Sequence, residues 1–129
     1  MAQVKIYGER GHLHSIRDQL SATIHAVAMD ALGLPANKRF HRFIGLDRDD
    51  FIYPADRSHA YTIVEISLFA GRSDETLRAF LRTLMQKIAE EAGLAPADVE
   101  ITLFETPKSH WGIRGAVGDE LALNYDVGR

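Results

Sequence analysis

Hydrophobic and polar residues alternate at the start of the chain and again about 60 residues later. Val4 and Ile6 have polar neighbours in AQVKIYG, and Val64 and Ile66 repeat this spacing in TIVEISL. Such alternation is typical of a strand with one buried face. The sequence therefore predicts two related strands within an internal repeat.

A helical pattern follows each of these strands. Apolar residues recur at intervals of three and four positions, which predicts one apolar stripe on each helix. Gly33 and Gly93 end the two patterns, with Pro35 and Pro96 just beyond them, and this order is typical of helix ends. The stripe residues are Ile16, Leu20, Ile24 and Val27 in the first helix and Leu77, Phe80, Leu81, Leu84 and Ile88 in the second.

Further strands are predicted over residues 40–44 and 99–104. The chain then consists of tandem β-α-β units, at about 2–45 and 61–105, in a single domain spanning 1–129 with a C-terminal tail at 106–129. Right-handed crossovers make the two strands of each unit parallel. We expect an α/β (α+β) fold with a four-stranded sheet, two helices on one face and a short C-terminal strand in ELALNYDV. The uncovered face predicts association through the sheet.

Composition limits the classes of function. Fifteen Lys and Arg against 18 Asp and Glu give a net charge of −3, which disfavours nucleic acid as a partner. The apolar runs are far shorter than the roughly 20 residues of a membrane span, and the N-terminus lacks the features of a signal peptide. The absence of cysteine excludes thiol chemistry. We expect a soluble, cytoplasmic protein.

No motif predicts a metal or a cofactor. DRDDFIYPADRS fails as a calcium loop because Ile52 stands at the turn-glycine position and Ser58 at the bidentate acid position. The six histidines are scattered, and only His12 and His14 suggest a local pair. The glycines of GIRGAVG are better explained as turn residues than as a phosphate loop.

Arg72 lies where a predicted strand ends and a helix begins. Ser73 is placed to cap that helix, and Asp74 and Glu75 complement its first turn. Two interpretations remain open: an exposed arginine that pairs with those acids, or a guanidinium that holds a ligand carboxylate beside the end of the strand.

Four segments, in order and spacing, resemble the tautomerase superfamily: GLPANKRF, TIVEISLFAGRSDET, GLAPADVEITLFE and HWGIRG. The chain is most similar to the malonate semialdehyde decarboxylase and cis-3-chloroacrylic acid dehalogenase branch of these 4-oxalocrotonate tautomerase-like proteins, and the similarity covers nearly the whole chain. The resemblance implies a homotrimer, no cofactor, a small carboxylate or keto-acid ligand, and catalysis by an N-terminal proline.

The resemblance also implies site residues and departures from the family pattern. Ala2 stands at the position of the catalytic proline, and Lys38 at that of an acid that orients water. Arg72 matches one of two family arginines, while Ala70 occupies the place of the other. The family pattern places Trp111 and Ile113 in the hydrophobic wall of the pocket. We add two candidate substrate-binding residues, Arg39 and Arg114, on charge and neighbourhood.

The leading hypothesis is therefore a tautomerase-superfamily protein with weak or altered proton-transfer activity. If Met1 is removed, the primary amine of Ala2 supplies a base or forms an imine. The second hypothesis is a non-catalytic protein that binds small carboxylates or interacts with other proteins while retaining the fold. In a third, the chemistry has moved to Lys38 with Arg39 or His41.

Overall fold

Two β-α-β units and a short hairpin make up the fold. The computed structural model describes residues 2–121. The first unit contains β1 (Ala2–Glu9), α1 (Arg10–Leu32) and β2 (His41–Leu46); the second contains β3 (Thr62–Phe69), α2 (Asp74–Lys87) and β4 (Val99–Thr106); the hairpin contains β5 (Gly112–Ile113) and β6 (Ala116–Val117).

The four long strands form one mixed sheet in the order β2-β1-β3-β4. β1 is parallel to β2, and β3 is parallel to β4, as the crossover helices require. β1 and β3 are antiparallel neighbours, with Lys5 opposite Glu65. The predicted α+β fold with a four-stranded sheet and two helices is confirmed.

The core lies between one face of the sheet and the two helices. Alternate residues of β1 and β3 are buried, as the period of two in the sequence predicts. Ile6, Val64, Ile24 and Phe80 are fully buried at this contact. The opposite face of the sheet is left partly exposed, and Phe104 of β4 remains 46% exposed there.

The predicted helix caps are present. Gly33 (φ 70°) and Gly93 (φ 71°) both adopt the left-handed conformation that allows the chain to leave the helix. The Ser73 hydroxyl accepts a hydrogen bond of 3.2 Å from the Thr76 N–H at the start of α2. A π-helical turn, Ile88–Ala92, extends α2 to Gly93.

Loop 47–61 is tied to the start of β4 by Asp98. This buried carboxylate accepts hydrogen bonds from the Ser58 backbone N–H at 2.8 Å and from its hydroxyl at 2.6 Å. The ring of His12 lies edge-on to His59, at 5.6 Å between centroids. His12 thus contacts the loop, so the suggested local pairing with His14 is not the contact that forms.

Two details of the C-terminal prediction differ from the described structure. Glu120 lies in a 3₁₀ turn, Gly118–Glu120, and Leu121 follows it in a bend, while residues 122–127 of the predicted ELALNYDV strand fall outside residues 2–121. The hairpin β5–β6 lies just before it, with Gly115 (φ 83°) in the turn, where the sequence predicted turn glycines. Among the described residues, no helix is both long and apolar enough to cross a bilayer.

Candidate functional site

Four elements meet at one end of the sheet. β1 begins there opposite the end of β3, since Ala2 pairs with Leu68, and β2 begins beside Val4. The last turn of α1 lies at the same end, because the side chain of Arg72, which follows β3, contacts the Leu32 carbonyl. The site residues named from the sequence all lie either at this end of the sheet or in and beside the β5–β6 hairpin. They are Ala2, Arg39 and Arg72 at the end of the sheet, and Trp111, Ile113 and Arg114 at the hairpin.

Two adjoining clefts open here, and Gln3 and Phe40 line both of them. One has a volume of about 360 Å³ and the other about 350 Å³. We call the combined space the arginine cleft. Its remaining lining residues are Trp111, Gly112, Ile113 and Arg114 in the first part and Arg39, His41 and Arg42 in the second. The structure thus brings together the four predicted substrate-binding residues, Arg39, Trp111, Ile113 and Arg114.

The arginine cleft is positively charged. Arg39, Arg42 and Arg114 line it, and within residues 2–121 no acidic side chain does. One Arg42 Nη donates a hydrogen bond of 3.3 Å to the Gln3 side-chain oxygen, across the parallel pair β1 and β2. Guanidinium groups bind carboxylates through planar, paired hydrogen bonds. The cleft therefore has the charge and donors to bind a small anion.

An aromatic wall bounds the cleft on the hairpin side. The indole of Trp111 packs on Phe69 at 5.0 Å between centroids, with the rings inclined at 69°. The Trp111 carbonyl accepts a 2.7 Å hydrogen bond from the Gly118 N–H. Edge-to-face packing and this backbone bond fix the position of Trp111.

Arg114 occupies the tip of the hairpin in a strained conformation. Its φ of 49° makes it the non-glycine residue with a positive φ in the described chain, and Gly115 follows at 83°. Two successive positive φ values are typical of the tight turns that join antiparallel strands, where Asn or Gly is usual. The strained turn presents an arginine to the cleft.

Ala2 lies on the helix side of the sheet, one residue from Gln3. It is only 9% exposed. A cavity of about 10 Å³ adjoins it, which Lys38, Phe40 and His41 also line, and we call this space the Ala2 cavity. Lys38 therefore lies near Ala2, where the family pattern implies an acid.

Arg72 is buried, with 6% of its surface exposed, so it is not the exposed side chain of the first interpretation. One Nη donates to the Phe69 carbonyl and the other to the Leu32 carbonyl, each at 3.3 Å. Leu32 ends α1, so the guanidinium complements the negative end of that helix. A ligand-binding role for Arg72 stays a prediction.

His41 borders both the arginine cleft and the Ala2 cavity. Its Nδ1 lies 2.7 Å from the Ser21 hydroxyl on α1. Burial, and then the proximity of His25 and Arg39, lower the pKa of His41 to about 4. The imidazole is therefore neutral at physiological pH.

Sequence reasoning did not select Gln3, Phe40 and Arg42. Gln3 and Arg42 occupy polar positions of alternating strands, so their common face was readable from the pattern. The sequence pattern did not predict that Gln3 and Arg42 are close together. Their proximity depends on the register between β1 and β2, which places Val4 beside His41 and Lys5 beside Arg42. Among residues 2–121, no group of three or more His, Asp or Glu side chains is arranged to hold a metal.

Comparison with known proteins identifies the family. A family model described as tautomerase enzyme matches residues 38–114, more than half of the chain. The chain therefore belongs to the tautomerase family, as the sequence motifs predicted. A 2-hydroxymuconate tautomerase from Comamonas testosteroni is 32% identical over 57 residues, which are 44% of this chain and 90% of that protein.

Solved structures share the fold over nearly the full chain. FG41 malonate semialdehyde decarboxylase inhibited by 3-bromopropiolate has 26% identity and a TM-score of 0.75, covering 94% of this chain and 98% of its own. The symmetric trimer of wild-type fused 4-OT has 20% identity and a TM-score of 0.77, and the match covers 92% of this chain and 96% of that protein's chain.

Proposed function

We propose that the arginine cleft binds a small carboxylate or keto acid and that the protein has weak or altered tautomerase-type activity. The observation that carries this proposal is the position of Arg114 on one, and of Arg39 and Arg42 on the other, of two adjoining clefts beside the start of β1. FG41 malonate semialdehyde decarboxylase, which has the same fold, is inhibited by 3-bromopropiolate, a small unsaturated carboxylate.

The expected roles follow from the chemistry of the lining. The arginines hold the carboxylate, and Trp111 and Ile113 cover the apolar part of the ligand. Where Met1 is removed, the amine of Ala2 supplies a base, with an ordinary pKa near 7.7–8.0 for an α-amine. Ala2 offers a primary amine where the family resemblance implies a secondary amine, and this difference is our reason for expecting weak activity.

The tight surroundings of Ala2 favour a second candidate function. A cavity of about 10 Å³ leaves little room for a reacting group beside Ala2, whereas the arginine cleft outside is far larger. A protein that binds carboxylates without transforming them fits this contrast. Activity measurements separate the two candidates.

Binding is tested by calorimetric titration with phenylacetate. Arg114→Gly suits this test because glycine adopts the positive φ at the hairpin tip without strain, so the fold is retained. We expect the dissociation constant to rise about tenfold, as for loss of one charge-assisted contact. Arg48→Ala removes an exposed arginine at the other end of the sheet and is the control. Equal affinities for all three proteins refute the carboxylate site.

Activity is tested by restoring the family residue. In Ala2→Pro, with methionine removal verified by intact mass, we expect the rate on phenylenolpyruvate to rise at least about tenfold, because a base of suitable pKa is regained. A folded variant that remains at the parent's rate favours the non-catalytic binding protein.

We further propose that the chain forms a homotrimer. The sheet has one face without helices and two open edges, at β2 and β4, and association is one way to cover them. Fused 4-OT, which shares the fold, is a symmetric trimer.

The single domain spanning 1–129, with repeat units at about 2–45 and 61–105, also remains a proposal. The matching order of elements in the two units supports it.

A further inference from the structure

A second groove lies along the open edge of the sheet and shares no lining residue with the arginine cleft. It runs between α1 and the edge strand β2 and has a volume of about 200 Å³. We call this space the basic groove, because three of its six lining residues are basic and none is acidic. The lining residues are Arg10, Leu13, His14 and Arg17 of α1 and Phe43 and Gly45 of β2.

The three basic side chains occupy one face of α1. Arg10, His14 and Arg17 are separated by four and then three positions, which is the spacing of neighbours on the surface of a helix. Arg10 and Arg17 are about 10 Å apart along the helix axis, since each residue adds about 1.5 Å. Their guanidinium groups can therefore bind two separate anionic groups in the basic groove, with His14 between them.

The edge strand brings its backbone close to the start of α1. Phe43 pairs with the fully buried Ile6, so Phe43 and Gly45, two positions on, face the helix side of the sheet. A Cβ at residue 45 would lie 3.1 Å from the Arg10 Cα. Glycine at this position therefore allows Arg10 to lie directly on β2, beside the basic groove.

Both arginines retain donors for a ligand. The Nε of Arg10 lies 3.4 Å from the Asp47 carboxylate, and the Nε of Arg17 lies 3.4 Å from the Asp18 carboxylate. The side chains of these acids are 72% and 96% exposed, so both ion pairs are weak. Within residues 2–121, neither guanidinium makes a further hydrogen bond, which leaves the Nη atoms of both available.

Two guanidinium groups with an imidazole between them fit a diphosphate. The Nη atoms of one guanidinium match two oxygens of one phosphate group, and a ring N–H of His14 adds a donor between the two arginines. We propose that the basic groove binds the diphosphate group of a phosphorylated ligand, with Arg10 and Arg17 each holding one phosphate. This site is separate from the proposed function, because it uses none of the residues of the arginine cleft.

Calorimetric titration with pyrophosphate, in a buffer free of phosphate and divalent cations, tests the site. We expect Arg10→Ala and Arg17→Ala each to raise the dissociation constant about tenfold, as for loss of one charge-assisted contact, and His14→Ala to raise it about threefold. Arg82→Ala removes an exposed arginine of α2 and is the matched control. A parent that does not bind pyrophosphate, or a control that weakens binding as much as Arg17→Ala does, overturns the proposal.

Two further ligands define the chemistry of the site. ADP carries a diphosphate on a nucleoside, so tighter binding of ADP than of pyrophosphate indicates an organic diphosphate, and the reverse order indicates the free anion. Malonate also has two anionic groups, but both are carboxylates. If malonate binds as tightly as pyrophosphate and responds equally to Arg17→Ala, the assignment to a diphosphate is refuted.

The place of binding is measured separately, because the arginine cleft is also cationic. In ¹H–¹⁵N NMR spectra, pyrophosphate should shift the amide resonances of residues 10–17 and 43–45, and Arg17→Ala should leave the affinity for phenylacetate unchanged. Shifts confined to residues 39–42 and 111–114 would place pyrophosphate in the arginine cleft and overturn this inference. Failure of the parent to bind phenylacetate would refute the proposed function and leave the diphosphate site standing.

Discussion

The ring of Phe69 supports Trp111, and its backbone carbonyl accepts a hydrogen bond from Arg72. The centroid distance between the two aromatic rings is 5.0 Å, and the Arg72 hydrogen bond is 3.3 Å long. The last residue of β3 thus contacts both the aromatic wall of the cleft and the guanidinium that reaches the end of α1. A substitution that displaces Trp111 is therefore expected to shift the Arg72 side chain, and the reverse is also expected.

The position of Trp111 depends on Gly118. A Cβ at residue 118 would lie 2.5 Å from the Lys108 carbonyl oxygen, so we expect Gly118→Ala to lower the free energy of unfolding by about 1–3 kcal/mol, as overpacking does. Trp111 is the single tryptophan, so its fluorescence emission should shift to longer wavelength in this variant. Gly112→Ala has open space around its Cβ and is the matched control. Identical spectra and stabilities for the two variants would contradict this prediction.

Arg72 is expected to contribute to stability. Arg72→Lys replaces a planar group that spans two carbonyls with a single ammonium, so the free energy of unfolding should fall by about 1–3 kcal/mol in urea titrations. Arg78→Lys, at an exposed position of α2, should change little. If Arg72→Lys keeps its stability but loses affinity for phenylacetate, the carboxylate-binding interpretation of Arg72 is supported instead.

Asp98 makes stability depend on pH. Burial alone would raise its pKa, but the two hydrogen bonds from Ser58 and the charges of His12 and His59 outweigh burial, so its pKa lies below the ordinary value. A carboxyl with a depressed pKa stabilises the fold fully above its unfolded pKa, near 3.9, and loses that contribution as the pH falls through the folded pKa.

We therefore expect Asp98→Asn to be less stable than the parent at pH 7, by about 1–2 kcal/mol, with the difference shrinking below about pH 4. Thermal unfolding followed by circular dichroism at a series of pH values measures this. Asp49→Asn, an exposed carboxyl in the same loop, is the control. A constant difference from pH 7 to pH 3 would argue against the role of the Asp98 charge.

The homotrimer is tested on the open face of the sheet. Phe104→Asp places a charge on this face, and sedimentation velocity at micromolar concentration should show a smaller species than the parent, since burying an unpaired charge is costly. Ile52→Asp changes an apolar residue that is 93% exposed on loop 47–61 and should sediment like the parent. A parent that sediments as a monomer rules out the trimer directly.

The elements and their ends were largely predictable, because local chemistry determines them. Ser73 caps α2, and Gly33 and Gly93 end the helical segments in the conformation that glycine favours. The surroundings of Arg72 were not predictable. Its direction depends on Gly71, at φ 133°, and on the position of the Leu32 carbonyl from a distant part of the chain. The contact of His12 with His59 likewise depends on how loop 47–61 packs.

The register of the central strand pair relates the two halves of the chain by an approximate twofold axis. Lys5 faces Glu65, 60 positions later, and Val4 pairs with His41 as Val64 pairs with Ile101. The same offset relates Ala2 to Thr62, and Lys38 to Asp98. At the Thr62 end, however, the Thr62 hydroxyl donates to the Ala60 carbonyl, and Asp98 is bound to Ser58 of the same loop.

The equivalent ends of the two similar units thus differ in this chain. The approximate twofold axis relates the Ala2 end of the sheet to the end that loop 47–61 occupies. There Asp98 holds the loop by accepting hydrogen bonds from Ser58. A trimer of such chains would then have three arginine clefts and three ends occupied by the chain itself.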